Sequence, residues 1–310
     1  MNNISQRDAF LNKLYGIAKV DRNIVLVSAD MGAPALDKIR RDLSSQYVGV
    51  GIAEQQAIVL ASGLALGGKK VFAYAIAPFI TLRCYEQIRI DLAGMNIPVT
   101  LVGVGAGFSY EDSGPTHHAV EDLSIMRILP NLRVHTITDS VMAAAFAELS
   151  CKAHYPNYVR LDRETLPTIY SEGDDFSSGM ARLRDGKELC IVATGNMVHR
   201  ALDVADELAK HSVDVGVLDV YTLPINDTVF LNTIDNAQKI VTLEEQTLRG
   251  GFGSSIIEVL SDNNRFVPIK RFGLDFKTAY CYKYGGRKNI QLLYGLDTQS
   301  ITNAILDWVK

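Results

Sequence analysis

Short apolar runs alternate with longer stretches of helical period through the first half of the chain. NIVLVSAD, YVGVG, VFAYAI, VTLVGVGA, LRVHTIT and NYVRL are rich in Val, Ile and Ala, the pattern of parallel strands buried on both faces. Helices are predicted between them at AEQQAIVLASGLALG, FITLRCYEQIRIDLAG, AVEDLSIMRIL and DSVMAAAFAELSCKAH. A first helix, SQRDAFLNKLYGIAKV, opens on Ser5 as N-cap and carries Phe10, Leu11, Leu14 and Ile17 on one side. The texture changes after Leu166-Pro167, where residues 168–187 turn polar and acidic with Gly and Ser. A second α/β pattern follows, with strands at ELCIVATG, VDVGVLDV, KIVTLEE and VPIKRFGL and helices at HRALDVADELAKH and GGFGSSIIEVLSD. The expected fold class is therefore α/β with two doubly wound domains, at 1–170 and 188–310, joined by a linker at 171–187.

A length of 310 residues agrees with two domains, and 47% hydrophobic against 21% charged residues is the balance of an ordinary globular protein. The net charge of -4 carries no basic footprint for nucleic acid or an anionic membrane. Cys84, Cys151, Cys190 and Cys281 lie far apart without a C-x-x-C pair, which favours reduced thiols over a zinc or disulfide framework. MNNISQRDAF lacks an apolar signal region and no run reaches the ~18 residues of a membrane span, so the expected compartment is the cytoplasm.

Four places could carry chemistry. Glu54 stands where the run at Tyr47, Val48, Val50 and Ile52 gives way to a small-residue helix. It could cap that helix, or point off the carboxyl end of a strand, where doubly wound sheets bind ligands; in apolar surroundings it could hold or share a proton. GFSYEDSGPTHHAVEDL, residues 107–123, places adjacent His117 and His118 on a Gly-rich loop ahead of a helix expected to open at Ala119 and Val120. Nothing at i+4 argues for zinc there. In NYVRLDRETLP either Arg160 or Arg163 could grip an anion, or pair with Asp162 or Glu164. LEEQTLRGGFGSS resembles a phosphate cradle without the G-x-G-x-x-G spacing or the P-loop Lys-Ser/Thr, and tight strand-to-helix packing explains it better.

In order and spacing, GIAEQQAIVLASGLALGGKKVFAY, FITLRCYEQIRIDLA, GPTHHAVEDLSIMRILPNLRVHTITD, VRLDRETLP and VTLEEQTLRGGFGS resemble the transketolases and the 1-deoxy-D-xylulose-5-phosphate synthases over nearly the whole chain. The similarity is to their pyrimidine-binding and C-terminal domains. The G-D-G and Asn positions that bind Mg²⁺ and the diphosphate of thiamine diphosphate in that family are not found ahead of this pattern. The resemblance therefore implies a split enzyme: a separately encoded N-terminal subunit would bring the diphosphate half and Mg²⁺, around a homodimer core within a heterotetramer.

The family's AEQ glutamate maps onto Glu54, which the resemblance places on N1′ of the cofactor aminopyrimidine. Ungapped alignment of CYEQIR carries the ring-facing positions to Ala77, Ile80 and Arg83. Ala77 and Ile80 replace the usual aromatics, and Phe79 is one residue away. His117 matches the histidine of D-G-x-T-H and is expected at the donor carbonyl. One inserted residue separates Asp112 from its usual register, and His118 is a further substrate-side candidate. Arg163 matches the sugar-phosphate arginine, while the second phosphate contact falls near Val104 and Gly105 and is absent. The implied activity is transfer of a two-carbon ketol unit between sugars or sugar phosphates. A decarboxylating synthase or an oxidative 2-oxoacid dehydrogenase β subunit is an alternative enzyme, and a non-catalytic scaffold is an alternative of another class.

Overall fold

The computed structural model describes residues 4–234, 236–275 and 280–309. The first half builds β1 (Ile24–Ala29), β2 (Tyr47–Gly51), β3 (Lys70–Ile76), β4 (Val99–Val104), β5 (Arg133–Thr136) and β6 (Asn157–Leu161). β1, β4 and β6 are buried at every position, as strands covered on both faces must be. Around them lie α1 (Gln6–Ala18), α2 (Pro34–Asp42), α3 (Glu54–Leu66), α4 (Ala77–Ile80), α5 (Tyr85–Gln87), α6 (Asp122–Met126) and α7 (Ser140–Cys151). Ser5 does cap α1, its hydroxyl accepting the Asp8 amide, and Asp139 caps α7 through the Met142 amide.

The second half builds β7 (Met180–Arg184), β8 (Leu189–Ala193), β9 (Val215–Val220), β10 (Thr222–Leu223), β11 (Lys239–Thr247) and β12 (Ile269–Leu274). Its helices are α8 (Met197–Lys210), α9 (Asp227–Thr233), α10 (Phe252–Asp262), α11 (Arg287–Leu293) and α12 (Thr298–Val309). The strand orders are β10-β5-β6-β4-β3-β1-β2 and β12-β11-β8-β9-β7. Pairing is parallel except at one edge of each sheet, where β10 runs antiparallel to β5 and β7 antiparallel to β9.

Two stretches depart most from the sequence expectation. β7 lies inside the stretch read as a linker; its alternating, half-exposed residues are those of an edge strand and carry no long apolar run. FITLRCYEQIRIDLAG is not one helix: α4 stops at Ile80, a 3-10 turn spans Leu82–Cys84, and a π-helical segment covers Ile88–Gly94 after α5. The Thr81 hydroxyl bonds back to the Ala77 carbonyl at 2.6 Å at the break.

The seam between the two sheets is hydrogen-bonded and buried. β10 leaves the second half to pair with the first sheet, and Asp219 of β9 accepts the Thr138 hydroxyl at 2.6 Å and the Tyr170 hydroxyl at 2.8 Å. Burial pushes the Asp219 carboxyl up to about 7, against the two hydroxyls that lower it. The folded chain thus keeps this proton to about pH 7, whereas the unfolded chain releases it near 3.8. The folded state then binds more protons across that window, so stability from this group falls as pH rises from about 4 to about 7. Thermal unfolding at pH 5 and pH 8 is expected to show a smaller pH-dependent drop for Asp219→Asn than for wild type. An equal drop in both would remove Asp219 as the source.

Candidate functional site

Glu54 is the first residue of α3 and is only 4% exposed. Its Oε2 accepts from Arg83 Nη1 at 2.6 Å. The apolar setting expected from sequence therefore contains a guanidinium, brought there by the break after α4. The next residue, Gln55, donates its side-chain amide to the Arg83 carbonyl at 3.1 Å. Adjacent side chains of one helix start thus hold both ends of Arg83, and the carbonyl freed by the interrupted helix finds a partner.

From Arg83 a row of planar groups leads across the site. The guanidinium lies over the Phe79 ring at 4.1 Å, and the Phe79 ring meets His117 edge-on at 4.9 Å. Tyr110 follows, its ring 5.8 Å from that of His117, and the Arg163 guanidinium sits 4.9 Å over Tyr110. Glu54, Arg83, Phe79, His117 and Arg163 come from four separate segments, yet each touches the next through this row. Tyr110 was missed in the sequence, where a tyrosine inside GFSYEDSG carries no pattern of its own.

His117 has its Nδ1 paired with the Thr116 hydroxyl at 2.9 Å, which orients the ring. Burial first, and then the nearby Arg83 cation, holds its pKa below the ordinary histidine value, so the ring is neutral at pH 7. The loop that carries it is closed at its base by two backbone bonds, both 3.0 Å, between Gly107 and Ala119. Those bonds occupy Ala119, and α6 accordingly begins at Asp122 rather than at Ala119 and Val120.

Other expected positions fall elsewhere. Ile80 is fully buried in the apolar core and Ala77 is fully buried as well, so neither offers a surface to a ring, whereas Phe79 is half-exposed. His118 is 3% exposed and turned edge-on to Phe108 at 4.9 Å, away from the row; its Nε2 has no hydrogen bond among the described residues. Asp112 lies at the exposed tip of the loop. Arg160 is no anion grip: it is 3% exposed and its Nε donates to Asp122 at 2.7 Å. The glycine-rich turn before α10 has its helix N-terminus filled by Glu244, whose oxygens accept the Phe252 amide at 2.6 Å and the Gly253 amide at 2.8 Å. A Cβ at position 253 would lie 2.9 Å from that carboxylate, which explains the glycine.

A buried carboxylate beside a phenyl ring capped by a guanidinium suits a flat heteroaromatic base that offers a ring nitrogen at its edge. Glu54 can hydrogen-bond such a nitrogen, and Phe79 with Arg83 can pack against the ring. An aminopyrimidine fits that description.

Comparison with known proteins agrees. Residues 2–168 match the family model described as transketolase, pyrimidine binding domain, and residues 179–301 match transketolase, C-terminal domain. One subunit of the apulose-4-phosphate transketolase of Phocaeicola vulgatus is 32% identical over 314 residues, covering 100% of this chain and 99% of that protein. The 6-deoxy-6-sulfo-D-fructose transketolase subunit SqwH of a Clostridium species is 36% identical over 273 residues, 86% of this chain and 84% of that protein. Among solved structures, a split gene transketolase described as an inactive beta4 tetramer superposes with a TM-score of 0.87 at 28% identity, covering 98% of this chain and 97% of that one. With both domain models matched in order along the sequence, the chain belongs to the transketolase family and carries its pyrimidine-binding and C-terminal domains.

Proposed function

We propose that this chain is the pyrimidine-binding subunit of a two-component transketolase that moves a two-carbon ketol unit between sugars bearing an anionic end group. The observation that carries this reading is the row from Glu54 through Arg83, Phe79, His117 and Tyr110 to Arg163. It sets a carboxylate for a heteroaromatic ring at one end and an exposed guanidinium for an anion at the other. Thiamine diphosphate, when bound, supplies the nucleophile and electron sink for breaking and making the carbon–carbon bond. Glu54 holds the proton at the ring nitrogen N1′, Phe79 and Arg83 orient the ring, and neutral His117 hydrogen-bonds the oxygen of the reacting carbonyl. Arg163 pairs with the phosphate or sulfonate of the sugar. The relatives named above as transketolase subunits act on a phosphorylated and a sulfonated sugar, which supports the anionic end.

The diphosphate and Mg²⁺ are assigned to a separate partner subunit, because the relatives matched over 84–99% of their own length are named as subunits. A homodimer of this chain would form the core of a heterotetramer. Mixing the chain with its partner, thiamine diphosphate, Mg²⁺, a ketose phosphate and an aldose is expected to give two-carbon transfer without CO₂. Release of CO₂ from pyruvate plus an aldose phosphate would instead identify a decarboxylating synthase and overturn the reading.

A further inference from the structure

Tyr110 and Arg163 stand on two segments outside any helix or strand, so something else must fix the distance between them. Both segments converge on Arg287, the first residue of α11, which is 6% exposed. Arg287 Nη1 donates to Asp162 Oδ1 at 3.0 Å, and Nη2 lies 2.8 Å from Asp162 Oδ2. Asp162 immediately precedes Arg163, and its Oδ1 also accepts the Ser109 hydroxyl at 2.8 Å, one residue before Tyr110.

The same guanidinium holds Glu245 of β11, with Nη2 to Oε2 at 2.6 Å and Nε to Oε1 at 3.0 Å. Glu245 Oε2 in turn accepts the Phe108 amide at 3.1 Å, and Gln291, one turn along α11, donates to Oε1 at 2.6 Å. Gly107 has φ +58°, and a Cβ there would collide with the Glu245 carboxylate, so the loop can approach this closely only with glycine. One arginine of the second half therefore ties down the residue before Arg163 and, through Glu245 and Asp162, the two residues before Tyr110. It touches neither side chain of the row.

We propose that Arg287, together with Glu245, is the positioning residue that sets Tyr110 and Arg163 against the anionic end of the sugar; this rests on the transketolase reading above. Burial alone would raise the Asp162 pKa, yet the Arg287 guanidinium holds it below the usual carboxylate range, as expected for a permanently charged partner. A lysine at 287 keeps the charge but, as a point donor, cannot bridge two carboxylates as the planar fork does.

The test uses Arg287→Lys and Glu245→Gln in the assembled enzyme, with D-xylulose 5-phosphate and unphosphorylated D-xylulose as donors. Each variant is expected to raise KM for the phosphorylated donor about tenfold, leaving its kcat and the KM of the unphosphorylated donor within about twofold. Hydrogen exchange of the full chain is expected to quicken at amides 107–118 and 161–164. A parallel fall in kcat for both donors, or unchanged exchange in those segments, overturns the clamp. Wild-type enzyme that transfers no two-carbon unit overturns the transketolase reading instead, and the exchange pattern then still decides the clamp. If the lysine variant fails to fold, the glutamine variant, nearly equal in volume to the native residue, supplies both readouts.

Discussion

Glutamine in place of Glu54 is expected to lower kcat of the assembled enzyme by about 10²–10⁴-fold, the usual contribution of a placed proton-handling group. The substitution preserves shape, so core packing under α3 stays intact. It removes the negative partner of Arg83, but the Arg83 side chain is 41% exposed and can turn to water. Because the cation left behind is half-exposed, loss of the pair costs at most about 1 kcal/mol after solvent screening. Activity and stability should separate: a large fall in turnover with an unfolding midpoint near that of wild type. Steady-state kinetics and thermal unfolding of the same preparation check both. Near-normal turnover would leave Glu54 without a catalytic assignment and return it to the role of a residue at a helix start.

The opposite separation is expected for Asp122. Its carboxylate is fully buried and accepts from Tyr158 Oη at 2.7 Å, Arg160 Nε at 2.7 Å and Gln246 Nε2 at 3.0 Å. Asp122→Ala leaves the Arg160 cation, itself 3% exposed, without its counter-charge, which costs about 3–5 kcal/mol. The thermal midpoint should fall by on the order of 10 °C. As a control, Asp21→Ala removes a pair whose side chains are 26% and 47% exposed, and is expected to change stability by less than about 1 kcal/mol. Similar shifts for the two variants would mean that burial does not set the worth of the Asp122 network.

Residues of one type thus acquire different work from their surroundings. Arg160 and Arg163 are three positions apart in VRLDR and equally plausible in sequence as anion grips. β6 turns Arg160 inward onto Asp122, whereas Arg163 lies past the strand end, exposed over Tyr110. His117 and His118 divide likewise, one at the row and the other against Phe108. Neighbouring side chains in an extended or looped chain point different ways, so a motif of adjacent residues names the candidates without choosing among them.

Local pattern was enough for the doubly wound class, most strands of both sheets, the cap of α1, and the resemblance that drew Glu54, Arg83, His117 and Arg163 together. Such features depend on hydrophobic period and local hydrogen-bonding chemistry, which are written within a few consecutive residues. Folding in three dimensions was needed to put Phe79 rather than Ile80 towards the site, to complete the row with Tyr110, to run the edge strands β7 and β10 antiparallel, and to bring Arg287 onto Asp162 from 125 residues away. Each depends on where a broken helix, a pinned loop or a second domain places a side chain, and the direction of a side chain across such separations is set by packing rather than by local pattern.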